Sequence, residues 1–570
     1  MIQNIKSLNT KEMNKLSLYI AGVALLTLPT SCIEEFSAQQ NGYITTDQAA
    51  NAPGSYENFV SGIFDNNSGH FFFGATDHRA NDFGYPSFYL ERDAMGNDIV
   101  TFGGDHNWFS TWYEASYSLG PTYLNCQYPW TFYYNQIRAC NIVLGMAGDD
   151  PDESKIVGAG KAITMRALYY LELAQLFAPE TYRKNDQSPT VPIITDKTTT
   201  EEAQNNPRAT NKDMFAFILS DLDRAEQYLA DYNRPDKYTP DLSVVYGLKA
   251  RAYLVMGDWA NAEAYAKRAM EGYTVLTAEQ YADRNHGFND ATFGNSWMFA
   301  IKIKPTDPCQ YTNDGDNSWG TWMICEFPSG ATGLGYYNAY GACNIIDRHL
   351  YETVPATDCR KKCYLDFAID EMESEEEIIE ALSEYSDVPE YVYGTGLAQE
   401  QFGGLPLKFR SKDGNHDDPQ YTGWCVDIPI MRVEEMKLIE AEAAGMQSES
   451  RGIQLLTEFA LTRDPNFVYG QHNEAYYNTT TPAFQNEIWW QRRIEFWGEG
   501  LATFDIKRLE KGIIRSYPGS NHIDGYRWNM QQTPGWMNFC IVQTEGNYNK
   551  ALVNNPMPAA PEGNSPEYDF

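Results

Sequence analysis

The sequence predicts a mainly α-helical fold: an irregular scaffold of tetratricopeptide-like helix hairpins carrying long, aromatic-rich loop insertions. Three observations predict it. The 3.6-residue apolar period of amphipathic helices recurs along the chain, as in Ile163 to Phe177, which Pro179 closes. Two helical stretches, Val244 to Met256 and Trp259 to Glu271, bracket the tight turn Gly257-Asp258, and small Ala250, Ala252, Ala262, Ala266 and Ala269 let them pack closely. Residues 65–130 and 285–345 are rich in Gly, Asn, Asp and aromatics and show little periodicity.

From the N-terminus, the first element is an export signal. Lys15 gives a basic start, Leu16 to Leu28 an apolar run, and Pro29-Thr30-Ser31 the residues before Cys32. That run is too short for a permanent transmembrane helix, so residues 1–31 read as a cleaved lipoprotein signal peptide with lipid on Cys32. Pro29 stands where an aliphatic residue is usual, with Leu28 one step earlier. Function is therefore expected outside the cytoplasm. Residues 32–570 read as one domain, with the helical scaffold at about 130–280 and 428–512 and ligand-face loops at about 65–130 and 285–345. Further helices are expected at 137–146, Asn211 to Leu229, Val433 to Gly445, Arg451 to Thr462 and Glu487 to Trp497. No 34-residue period links them, which excludes an open solenoid.

Composition narrows the function. The net charge of −34 becomes −36 without residues 1–31, because Lys6, Lys11 and Lys15 outweigh Glu12. Such a surface repels phosphate backbones and argues against nucleic acid as a partner. Of ten cysteines, nine remain once Cys32 is lipidated, an odd number that precludes a complete intrachain disulfide framework. Cys359 and Cys363 are four apart, a spacing that suits neither a zinc knuckle nor a redox motif, so buried free thiols are expected. The eight histidines show no metal-ligand spacing, and neither metal nor cofactor is expected.

Four separated stretches carry a resemblance. They are Met165 to Leu173 with Val191-Pro192-Ile193 behind it, Leu248 to Leu254, Ile430 to Ala443, and Arg492-Arg493-Ile494-Glu495-Phe496 through Arg508. In order and spacing they resemble the SusD/RagB family of starch-utilisation-type outer-membrane lipoproteins. One departure is Ala502, where the family tends to place an arginine, while Asp505 and Arg508 are retained. The resemblance implies a non-catalytic glycan-binding protein that captures oligosaccharides or polysaccharides and serves a SusC-like TonB-dependent transporter. Some members of the family take peptides, and peptide capture is the alternative.

The aromatic loops supply the chemistry for saccharides. Between Phe71 and Tyr134, 19 of 64 positions are aromatic, about twice the 14% of the whole chain. A sugar ring lies its apolar face on Trp or Tyr while polar side chains take the hydroxyls. Trp108 and Trp112, four apart, share a face if that stretch is helical, and Arg79, Asp82, Tyr85 and Tyr89 are near in sequence. Trp130, Phe132, Tyr133 and Tyr134 read as core. The middle stretch repeats the pattern in Tyr311, Asn317, Trp319, Trp322, Tyr336 and Tyr337. The expected ligand set is thus Trp319, Trp322, Trp108, Trp112, Tyr311, Asp82, Arg79 and Tyr336, with Trp319 and Trp322 foremost.

Two other readings compete. Glu495 and Glu499, among Trp489, Trp490 and Trp497, suggest a glycoside hydrolase pair, but Arg492, Arg493 and Arg508 nearby favour structural ion pairs. An adhesin would need no small-ligand site. The runs Asp314 to Asn317 and Asp413 to Asp418 lack a complete calcium loop with its terminal glutamate and read as solvated turns. Asp370 to Glu377 reads as an exposed helix start or loop.

Overall fold

The computed structural model describes residues 52–68, 80–102, 107–115, 119–312, 315, 317–328, 335, 340–473 and 480–570. The elements that position the site are α1 (Ser87–Ala94), α2 (Leu124–Ala147), α3 (Ile156–Phe177), α4 (Asn211–Tyr228), α5 (Leu242–Met256), α6 (Trp259–Ala269), α7 (Trp319–Met323), α8 (Val433–Gln447), α9 (Glu449–Ala460), α10 (Ala483–Glu495) and α11 (Ala502–Arg508). Four short strands join them: β1 (Ile99–Thr101), β2 (Trp297–Lys302), β3 (Asn344–Ile346) and β4 (Asp427–Arg432). Tyr56–Phe570 forms one compact unit. None of the helices among the described residues is long and apolar enough to cross a membrane.

Local chemistry sets the hairpins. The Asp241 side chain accepts from the backbone of Ser243 and Val244 to open α5. Gly257 closes that helix at φ +75°, which favours glycine, and the next residue, Asp258, caps α6 by accepting from Asn261. The chain therefore reverses within two residues, as its sequence predicts. In sequence order, α2 packs on α3, α3 on α4, α5 on α6, α6 on α8 and α8 on α9. Ala262, Ala266 and Ala269 are buried on α6, as are Ala441, Ala443 and Ala444 on α8, so small side chains set the close approach.

Aromatics fill the junction between the early segment and the scaffold. Phe88 of α1 packs against Tyr128, Phe132 and Tyr133 of α2 at centroid distances of 4.9, 4.8 and 5.2 Å. Burying each such side chain stabilises the fold by about 1.5–3 kcal/mol. Trp130, Phe132 and Tyr133 are buried and Tyr134 partly so, in keeping with their reading as core. Seven of the nine cysteines described are buried and all nine are free thiols.

Ion pairs hold the stretches that carry the family resemblance in place. Arg166 meets Asp221 at 2.8 Å, Glu172 meets Arg92 at 3.0 Å, and Arg251 meets Glu435 at 2.6 Å. Arg432, at the end of β4, reaches Glu434 at 3.0 Å, Glu495 at 3.1 Å and Glu499 at 2.8 Å. Arg463, Arg360 and Lys408 complete this group, with Asp358 on Arg360. Four cations thus face four carboxylates in a dry interior, where removing one partner strands another. At Ala502, the departure from the family pattern, the backbone N–H donates to Asp93, while Asp505 is held by Arg492 at 2.6 Å and Arg508 at 2.7 Å.

Candidate ligand-binding site

The early and middle loop segments, far apart in sequence, meet in the fold. β1 pairs antiparallel with β3, placing Ile99 opposite Ile346 and Thr101 opposite Asn344. Beyond the strands, the Phe102 N–H donates to the Cys343 carbonyl at 2.7 Å. The Trp322 indole N–H donates to the Ala80 carbonyl at 3.0 Å, and the Asn81 amide donates to the Trp108 carbonyl at 3.3 Å. Further on, the Gln420 amide donates to the Gln310 carbonyl at 2.6 Å. These contacts tie four segments, around residues 80–85, 107–115, 308–328 and 415–424, into one region.

Exposed aromatics ride on these segments. Trp108 is 37% exposed, Tyr311 56% and Tyr421 50%; Tyr340, just before β3, is 46% exposed. Tyr311 and Tyr421 flank the Gln310–Gln420 hydrogen bond. Flat rings presented to water beside backbone carbonyls and amides suit a ligand with apolar faces and a hydroxyl fringe. Tyr340 and Tyr421 were not singled out in the sequence. The turn signals of Asp413 to Asp418 mark the approach to Tyr421, whose ring lies just beyond them.

Other expected site residues lie inside. Trp319 and Trp322 are 1% and 0% exposed, so they form no platform on the surface. Trp319 packs edge-on against Tyr89 at 6.1 Å and Phe409 at 5.3 Å, and Trp322 against Phe109 at 5.2 Å. The reason is Gly320: a Cβ there would sit 2.3 Å from the Trp424 ring, so the missing side chain lets Trp424 press α7 inward. Trp112 is also fully buried and does not share a face with Trp108, because the helical turn starts only at Ser110. Asp82 is buried and accepts a hydrogen bond from the Tyr128 hydroxyl. Tyr85 donates to Glu172 at 2.5 Å and Tyr89 to the Pro429 carbonyl at 2.7 Å. Arg79, Tyr336, Tyr337 and Cys32 lie outside the described residues, as do Asp314 and Asp316.

The carboxylates considered for hydrolysis are committed elsewhere. Glu495 is fully buried, with Arg463 at 2.9 Å, Arg432 at 3.1 Å and Arg360 at 3.4 Å. Burial alone would raise its pKa, but the three guanidinium groups win and hold it well below the usual carboxylate range. Glu499 is clamped by Lys408 at 2.6 Å. The Asp413 to Asp418 loop spends its polar groups on itself: Asp418 accepts from Tyr421 and Thr422, and Asn415 from Asp417 and Asp418. Among the described residues, no group of three or more His, Cys, Asp or Glu side chains is placed to hold a metal.

Known proteins share this fold. The sequence model of a family described as SusD-like, starch-binding and associating with the outer membrane matches residues 91–254. A SusD-like carbohydrate-binding protein from Bacteroides vulgatus is similar in structure with a TM-score of 0.66 at 21% identity, over 88% of this chain and 97% of that one. A SusD-superfamily protein from Bacteroides thetaiotaomicron gives 0.63 at 22% identity, over 90% and 100%. Surface glycan-binding protein A from the same organism, in complex with laminarihexaose, gives 0.61 at 18% identity, over 88% and 99%. No curated protein matches the sequence. The chain thus shares the fold of SusD-superfamily proteins, and its residues 91–254 match the SusD-like family model.

Proposed function

We propose that this protein captures an oligosaccharide at the cell surface without altering it covalently, and passes it to a SusC-like TonB-dependent transporter in the outer membrane while anchored through lipid on Cys32. The observation that carries the reading is the set of exposed rings on Trp108, Tyr311, Tyr340 and Tyr421, mounted on segments that the fold ties together. Stacking on such a platform needs no titratable group, and the two glutamates suited to hydrolysis by type are held in ion pairs. An open cleft of about 680 Å³ lined by Tyr232, Arg234, Tyr238 and Tyr273 is a less favoured location. Its polar tips are already used, since Arg234 donates to the Tyr273 hydroxyl at 2.6 Å and Tyr238 donates to Asp427 at 2.8 Å.

Laminarihexaose, the ligand in the related surface glycan-binding protein, is the first probe. Isothermal titration against a panel of oligosaccharides beside short peptides tests the reading. Saccharide binding with no product formed is the expected result. Binding of peptides alone would replace the glycan with a peptide nutrient, and turnover of any saccharide would overturn the non-catalytic assignment.

A further inference from the structure

Two of the free thiols lie against each other although they are far apart in the chain. Cys126 sits in the first turn of α2, Cys540 belongs to the segment after α11, and both are buried. The Cys126 thiol has two acceptors within reach, the Leu119 carbonyl at 3.1 Å and the Cys540 sulfur. The backbone N–H of Cys540 is also directed at the Cys126 sulfur. Nearby, the Gln543 N–H donates to the Pro121 carbonyl at 2.9 Å, so the backbones that carry the two cysteines are themselves joined.

Cys540 is fixed from its own side as well. The Ile541 N–H donates to the Asn554 side chain, whose amide donates back to the Ile541 carbonyl, both at 2.7 Å. The Asn555 amide donates to the Phe539 carbonyl at 2.8 Å and to the Phe177 carbonyl, at the end of α3, at 2.7 Å. The two cysteines therefore face each other from segments that the fold holds in register. Their contact also makes them chemically unequal. A hydrogen bond from Cys126 favours the Cys540 thiolate and lowers its pKa against the effect of burial, while the same bond and then burial raise that of Cys126.

We propose that Cys126 and Cys540 form an intrachain disulfide when the protein folds in an oxidising compartment, stapling the C-terminal segment to α2. The oxidant is a disulfide, of a small molecule or of a thiol oxidoreductase. The Cys540 thiolate attacks one sulfur of that disulfide, the other sulfur leaves as a thiolate, and a mixed disulfide remains. Cys126 then gives up its proton and attacks the Cys540 sulfur, expelling the second thiolate as the Cys126–Cys540 bond forms. The two cysteines lose two electrons and two protons, and the oxidant takes them up as two thiols. Both sulfurs are buried in the folded chain, so the exchange runs while the C-terminal segment is still docking. The export expected from residues 1–31 supplies such a compartment, and the staple is independent of which nutrient is bound.

The test is peptide mapping by mass spectrometry of the purified protein, equilibrated with oxidised and reduced glutathione both as purified and after refolding from urea. Free thiols are alkylated before digestion. The expected result is one linked pair of peptides, carrying Cys126 and Cys540, and a higher Tm than the same protein kept in dithiothreitol, because the bond constrains the unfolded chain. Cys540→Ser should lose both the linked peptides and the response of Tm to oxidant. Alkylation of both cysteines in the oxidised wild type, or linkage of either to a different cysteine, would overturn the proposal. So would a rise in Tm with oxidant that persists in Cys540→Ser. If Cys540→Ser does not fold, Cys126→Ala takes its place, and the wild-type map decides in either case.

Discussion

In the helical scaffold, Glu495 has three guanidinium groups within 3.4 Å; at the feet of the loops, Glu91 has no hydrogen-bond partner for either oxygen. Among neutral groups the division is less sharp, because both amide atoms of Gln491 on α10 are buried without partners. The Trp497 indole donates to the Asp98 carbonyl at 2.9 Å, whereas the indole N–H groups of Trp319 and Trp424 and the Ser318 hydroxyl are buried without partners. The scaffold pairs the Glu495 cluster internally, and these ion pairs help to hold its helices together. The loop region leaves hydrogen-bonding capacity for water, an ion or a ligand to use. On the function proposed above, the paired interior serves stability and the loop region recognition.

The largest effect expected from breaking this comparison is in the scaffold. Glu495→Ala leaves Arg463, Arg432 and Arg360 facing one another in a dry interior and should cost about 3–5 kcal/mol in denaturant unfolding. Trp322→Ala follows. It empties a fully buried site and removes the hydrogen bond to Ala80, for about 3–5 kcal/mol by the same measurement, with any loss of binding traceable to loss of structure.

A smaller effect lies at their boundary, on Asp93. Its carboxylate accepts from the N–H groups of Gly500 and Ala502, yet burial prevails and raises its pKa to about 7. The unfolded chain ionises this group from its ordinary range near 3.8, while the folded chain keeps the proton until about 7. Its contribution to stability therefore falls as pH rises between those values and levels off above them. Asp93→Asn should flatten that part of the stability profile measured by urea unfolding across the same window. Least disturbing to the fold is Trp108→Ala, which should change stability by no more than about 0.5 kcal/mol.

The helical half was legible because its signals are local. Gly257-Asp258 has one good conformational use, and Pro179 closes α3 where the sequence places its end. The start of α3 was less legible. Gly158, Ala159 and Gly160 carry no apolar stripe, so the helix begins at Ile156, seven residues before the expected Ile163. In the loop half, the aromatic content did not tell which rings stay exposed: Trp112, Trp319 and Trp322 are buried, whereas Trp108 and Tyr311 are exposed. Whether a tryptophan faces in or out depends on distant partners, and the partner that turns α7 inward is Trp424, about a hundred residues away in the chain.

The most direct test of the central claim is calorimetric titration of the saccharide that binds best, starting with laminarihexaose, into the wild type and into Trp108→Ala and Tyr311→Ala. Each lost stacking contact should weaken binding by about tenfold, corresponding to roughly 1.4 kcal/mol, in a protein that melts like the wild type and releases no product. Undiminished affinity in both folded variants would contradict the placement of recognition on this aromatic face.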